Sequence, residues 1–143
     1  LTDIQNEIAK LTPLDGAKEF LDWAGERFQV AIISDTFYEF AGPLMVQLGD
    51  PFLLCHKLIV EDDRVVGYKL RQTDPKRHSV KAFKSLDLRV IAAGDSFNDV
   101  SMLEEADHGI FFQAPENVRA QFPQYPLAAD YTELQALIEQ AVG

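Results

Sequence analysis

The sequence predicts an α/β fold built on a largely parallel sheet. Short, mostly apolar runs at 28–33 (FQVAII), 89–93 (RVIAA) and 108–112 (HGIFF) have the length and composition of strands buried on both faces. Segments with helical spacing alternate with them, which is the pattern of parallel βα units. At 143 residues, 47% of them hydrophobic, the chain can bury one sizeable core.

The elements follow in order. Leu1, Ile4, Ile8 and Leu11 recur at helical spacing, so 1–11 reads as an amphipathic helix that Pro13 ends. Residues 17–26 read as a second helix with Phe20, Leu21, Trp23 and Ala24 on its apolar side. After the strand at 28–33, Thr36-x-x-Glu39 has the form of a capping box, opening a helix near Phe37 that runs to about 48–49. Residues 52–60 and 64–70 flank Glu61-Asp62-Asp63 and read as a strand pair around an acidic turn. Asp74-Pro75 is a suitable N-cap and first residue for a helix ending near Leu86. The strand at 89–93, a helix from Ser96 to about Ala106, the strand at 108–112 and a helix at 131–141 complete the chain.

Composition excludes several functions. Thirteen basic and 23 acidic residues give a net charge of −10, which disfavours nucleic acid and anionic membranes as partners. The single cysteine, Cys55, forms no intrachain disulfide and suits the cytoplasm. No apolar run approaches the roughly 20 residues of a membrane span. No secretory signal is visible in a sequence that begins at Leu1. His56, His78 and His108 are scattered, without partners at metal-ligand spacing, and read as structural or surface residues. Cys55 reads as core, and Phe37, Tyr38 and Phe40 as packing beneath the turn they follow.

In parallel sheets ligands bind at the carboxyl ends of the strands. Three stretches there hold candidates. Ser34-Asp35-Thr36 puts a hydroxyl at a strand tip before a helix start, a place for phosphate or simply for capping. Lys76 lies in the first turn of a helix, where a cation opposes the helix dipole. An anionic ligand accounts for it, as does plain solvation. In Gly94-Asp95-Ser96-Phe97-Asn98-Asp99 the glycine permits a sharp turn and two carboxylates follow. Oxygen ligands of this kind suit Mg²⁺. A capping box over Ser96-x-x-Asp99 is the other reading, and it leaves Asp95 and Asn98 unexplained. A hydroxyl, a lysine and a carboxylate pair are the parts phosphoryl transfer needs.

The order of these residues resembles the haloacid dehalogenase-like phosphatases. Their strand ending in Ser or Thr, their Lys at a helix start and their Gly-Asp-x-x-x-Asp loop look like Ser34, Lys76 and 94–99 here. PLDGA (13–17) is similar to the entry to the first core helix of the phosphoserine phosphatase group, and SDTFYEF (34–40), LCHKL (54–58), DPKR (74–77), AAGDSFND (92–99) and QAPENV (113–118) resemble, more narrowly, its branch with phosphoserine:homoserine phosphotransferase activity. The resemblance implies a three-layer α/β/α Rossmann-type core and Mg²⁺-dependent hydrolysis of a small phosphomonoester, O-phosphoserine first. It implies that Ser34 and Lys76 bind the phosphoryl group, with Asn98 and the amides of Asp35 and Thr36. It implies that Asp95 ligates Mg²⁺, that Asp99 holds a metal-bound water or Lys76, and that the protein is a homodimer.

The family's nucleophile is an aspartate in an Asp-x-Asp motif ending its first strand, and residues 1–143 hold no such motif. The expectation is therefore that the nucleophile, the first strand and most of the cap lie outside this sequence. Residues 1–11 would be the last cap helix and 12–143 the core. Such a chain by itself would be marginally stable, with a gap in its sheet, and inactive. Two other readings stay open. A receiver-like signalling domain uses the same residue types, but its acidic pair lies early in the chain, whereas here it is at 95 and 99. A non-catalytic module that binds phosphate compounds is the second.

Overall fold

Two three-stranded sheets organise the chain in the computed structural model, which describes all of residues 1–143. They belong to two compact units, Leu1–Thr73 and Asp74–Gly143.

In the first unit, helices α1 (Thr2–Ile8) and α2 (Ala17–Gly25) precede strand β1 (Ile32–Phe37), helix α3 (Tyr38–Gln47) and the hairpin β2 (Leu53–Glu61) and β3 (Arg64–Lys69). β1 runs parallel to β2, and β2 antiparallel to β3. The hairpin turns at Asp62 and Asp63, both with positive φ (49° and 61°). That is the geometry of a two-residue turn matched to strand twist, and short polar side chains tolerate it. The acidic run is thus turn chemistry.

α3 carries Pro43 in its interior. Proline has no N–H, so the carbonyl of Glu39 loses its helical donor. Gln5 of α1 fills the vacancy, its Nε2 donating to Glu39 O at 2.9 Å. Gln47 Nε2 donates likewise to Leu11 O at 2.8 Å, so α1 and the turn after it are fastened along α3.

The second unit alternates α4 (Pro75–Ser85), β4 (Ile91–Gly94), a single 3₁₀ turn (Phe97–Asp99), α5 (Val100–Glu105), β5 (His108–Phe112), α6 (Glu116–Gln121), β6 (Leu127–Ala128) and α7 (Tyr131–Val142). Its sheet, β4-β5-β6, is entirely parallel. Phe111, Leu103, Ile110 and Val80 are its largest fully buried side chains. No helix of the chain is long and apolar enough to cross a membrane.

Several local expectations change. The first strand begins at Ile32, not at Phe28, and its residues are half-buried, with Asp35 exposed, rather than buried on both faces. Phe28 instead closes α2, its N–H donating to Ala24 O at 2.8 Å and its ring edge-on to Trp23. The Thr36/Glu39 capping box does not form: Phe37 occupies the N-cap position, and Glu39 Oε2 accepts the Leu58 N–H at 2.9 Å. Asp74 stands at the N-cap of α4 without capping it, and its carboxylate accepts the Ser101 hydroxyl at 2.9 Å. β4 is short, and Ala93 within it is exposed. α6 and β6 were not expected, because a six-residue helix and a two-residue strand leave too little periodicity to read.

Candidate active site

The candidate residues divide between the units. Ser34, Asp35 and Thr36 lie in the first; Lys76, Asp95, Asn98 and Asp99 lie in the second.

The first group sits inside β1, ahead of the helix start. Ile33 pairs with Leu54 and Phe37 with His56, so Ser34, Asp35 and Thr36 oppose only Cys55. The ladder breaks there, as strands do where a bulge re-aims a segment. Ser34 Oγ accepts the Thr36 N–H at 3.2 Å and holds the irregularity in shape. Asp35 Oδ1 lies 3.6 Å from Nε2 of the buried His56. The Nδ1 of His56 accepts the Arg71 N–H at 2.8 Å, which leaves Nε2 as the protonated nitrogen facing Asp35. His56 is structural, as expected, but it also connects β2 to the candidate segment.

The second group converges. Lys76, in the first turn of α4, and Asp99, at the end of the 3₁₀ turn, are both buried, and Lys76 Nζ donates to Asp99 Oδ1 at 2.7 Å. The other oxygen, Oδ2, accepts the N–H of Asp95 at 2.8 Å, the N–H of Ser96 at 3.1 Å and the Ser96 hydroxyl at 3.2 Å. The capping box over Ser96 and Asp99 therefore exists, and Asp99 meets Lys76 as well. Capping and ion pairing are served by different oxygens of one carboxylate. Burial by itself would raise the Asp99 pKa, but the bond to Lys76, its charge and the two backbone donors carry it below the usual range.

Gly94 is required here by close approach, not by an unusual turn. A Cβ added at this position would come within 2.4 Å of Asp99 Cβ and 2.6 Å of its Oδ2. Only a residue without a side chain lets Asp99 fold back over the end of β4.

Asp95 is exposed beside this buried pair, and its pKa is raised, first by partial desolvation and then by the charge of Asp99. Asp99 already accepts four hydrogen bonds, so the carboxylate open to a ligand is Asp95. Two carboxylates face one ammonium, and a hard divalent cation would relieve that imbalance; one or two carboxylates are what Mg²⁺ commonly takes from a protein. Asp95 would offer it a hard oxygen donor; no group of three or more His, Cys, Asp and Glu side chains is placed to hold a metal, so the remaining ligands would be water and substrate oxygens. Asn98 is exposed on the same turn. Arg71, which sequence reasoning passed over, is tied to Tyr38, Cys55 and His56; an arginine just beyond a strand carried no signal of that.

Comparison with known proteins agrees with the fold. A model of the haloacid dehalogenase-like hydrolases matches residues 2–107. Phosphoserine phosphatase ThrH of Pseudomonas aeruginosa is 66% identical over 136 residues, which cover 94% of this chain and 66% of that protein. A phosphoserine phosphatase of Pseudomonas syringae pv. tomato is 63% identical over 136 residues, covering 94% of this chain and 57% of the relative. The chain thus spans less than two thirds of the length of either. Among solved structures, phosphoserine phosphatase from T. onnurineus superposes with a TM-score of 0.72 at 30% identity, over 94% of this chain and 62% of that one. With its parallel βα units, its Lys76–Asp99 pair and the family match across most of its length, the chain belongs to the haloacid dehalogenase-like hydrolases.

Proposed function

We propose that the protein is a Mg²⁺-dependent phosphatase of small phosphomonoesters, with O-phosphoserine as the first substrate. The phosphoryl group passes to an aspartate that residues 1–143 do not contain, and then to water, with homoserine as a further acceptor. The observation that carries this reading is the buried Lys76–Asp99 pair at 2.7 Å with Asp95 open beside it. The relatives named phosphoserine phosphatase supply the substrate.

Residues take distinct roles in this reading. Asp95 holds Mg²⁺, whose chemistry is to neutralise charge on the phosphoryl oxygens. Asp99 keeps Lys76 charged and aimed, and fixes the Asp95 backbone. Lys76 and the Ser34 hydroxyl bind phosphoryl oxygens, with the amides of Asp35 and Thr36 and the side chain of Asn98. The irregular 34–36 segment supports this, because these residues have no register partner on β2, and the Thr36 N–H donates to Ser34 Oγ within the segment itself. Residues 1–11 belong to a cap and 12–143 to the core, in a cytoplasmic homodimer.

Phosphate release from O-phosphoserine is the test, measured on the protein that carries these residues, with Mg²⁺ and with EDTA. Mg²⁺-dependent turnover that falls at least about 100-fold in Asp95→Asn is expected, in line with loss of a charge-stabilising group. Turnover that survives Asp95→Asn or EDTA would overturn the reading. Binding of phosphate without turnover would favour the non-catalytic module.

A further inference from the structure

We infer that Lys57, Lys69 and Arg71 form a second binding pocket, on the β2–β3 hairpin, for a small oxyanion: a carboxylate or a phosphate. It stands apart from the phosphatase reading and does not rest on it.

The hairpin places like charges where sheets avoid them. Lys57 and Lys69 are direct cross-strand partners on the antiparallel ladder. Opposed residues project on the same face a few ångströms apart, and like charges there destabilise the pair. A chain with 23 acidic residues has ample means to place a carboxylate nearby. Its ion pairs instead use Lys10, Lys18, Arg27, Lys76 and Arg77, and Lys57, Lys69 and Arg71 have no carboxylate partner. Two acidic side chains of the same unit make other contacts: Glu39 accepts the Leu58 N–H, and Asp35 faces His56.

These cations surround a space. An open cleft of about 230 Å³ is lined by Cys55, His56, Lys57, Lys69, Leu70 and Arg71. Its floor is rigid, because Cys55 and His56 are buried in β2. Arg71 is held in place at the rim. Its N–H donates to His56 Nδ1 at 2.8 Å, its Nε to Cys55 O at 3.1 Å and its Nη2 to the Tyr38 hydroxyl at 2.7 Å. The guanidinium carbon also lies 5.7 Å from the centre of the Tyr38 ring. A guanidinium has five N–H donors, so donors remain for a ligand. Because the side chain is already ordered, less conformational entropy is lost when an anion binds. Two exposed ammoniums in one cleft with a fixed guanidinium suit an oxyanion, whose charge would offset the Lys57–Lys69 repulsion.

The test is an NMR titration of the full chain at low ionic strength with sodium phosphate, sodium acetate and, as control, sodium chloride. Saturable shifts of the Lys57, Lys69 and Arg71 amides with phosphate or acetate are expected. The tighter of the two identifies the ligand as phosphate-bearing or carboxylate-bearing. Phosphate bound only at the candidate active site would move the amides of 34–36 or 95–99 and leave the hairpin unmoved, which counts against the pocket. Arg71→Gln should weaken hairpin binding at least about tenfold, as loss of a charged hydrogen bond does. Lys57→Gln, an exposed change that leaves the Arg71 contacts intact, should weaken it severalfold and raise Tm in the absence of anion. Lys84→Gln, remote in sequence and bonded to Glu105 O, should bind as wild type. Shifts that chloride reproduces at equal ionic strength, or unchanged affinity in Lys57→Gln, would overturn the proposal.

Discussion

Lys76 and Asp99, 23 residues apart, form a buried ion pair at 2.7 Å in which Asp99 also closes the end of β4 through the amides of Asp95 and Ser96. The pair joins the start of α4 to the turn after β4, so it serves the packing of the second unit as well as any chemistry done there.

Removing the cation should be costly. In Lys76→Met, Asp99 remains buried with no ammonium beside it. Breaking a buried pair from one side typically costs about 3–5 kcal/mol. Urea denaturation should show a loss of that order for Lys76→Met and a smaller one for the double variant with Asp99→Asn. A single variant within about 0.5 kcal/mol of wild type would contradict the burial of the pair.

Gly94→Ala should act through Asp99. The new methyl group would stand 2.4 Å from Asp99 Cβ, and the crowding should cost about 1–3 kcal/mol. Adding Asp99→Gly removes all three crowded atoms, Cβ, Cγ and Oδ2. The double variant should then be more stable than the sum of the single losses allows, and a double-mutant cycle by chemical denaturation measures that coupling. Additive losses would mean that Gly94 is needed for another reason.

One acidic contact predicts a pH effect. The Val90 N–H donates to Asp107 Oδ2 at 2.7 Å, and this bond holds the Asp107 carboxyl below its ordinary range. A carboxylate depressed on folding contributes stability above its unfolded pKa, about 3.9 for Asp. That contribution is lost as pH falls through the lower folded value. Asp107→Asn should therefore flatten the acid limb of the stability profile below about pH 4 and change its slope little above pH 5. Denaturation midpoints measured from pH 2.5 to 7 would show it.

Cys55 should be inert while the chain is folded. Its side chain is 2% exposed, and burial pushes its thiol up to about 11. A thiol reagent at pH 8 should label it slowly in buffer and stoichiometrically in 6 M guanidinium, the contrast expected of a structural cysteine. Rapid labelling of the folded chain would show that β2 opens easily.

Much of the fold was legible. The strand at 108–112, the hairpin around Asp62-Asp63 and the last helix lie where periodicity and turn residues put them, because their signals are local. The first strand starts four residues after its apolar run does, since Phe28 is as apolar as a strand residue but packs its ring on Trp23. β6 was illegible for a different reason. Leu127 and Ala128 become a strand only by pairing with Phe111 and Phe112.

By itself, the sequence determined the α/β alternation, the family motifs and the residue types of the candidate site: Ser34, Lys76, Asp95, Asn98 and Asp99. Only the tertiary structure decided what those residues do to one another. It made Asp99 the partner of Lys76 and left Asp95 open, turned Asp74 from a cap into the acceptor of Ser101, and made Gly94 a matter of clearance. The reason is physical. Propensity and capping act over a few neighbouring residues, whereas a buried charge takes whichever partner the packing of distant elements brings within hydrogen-bond reach.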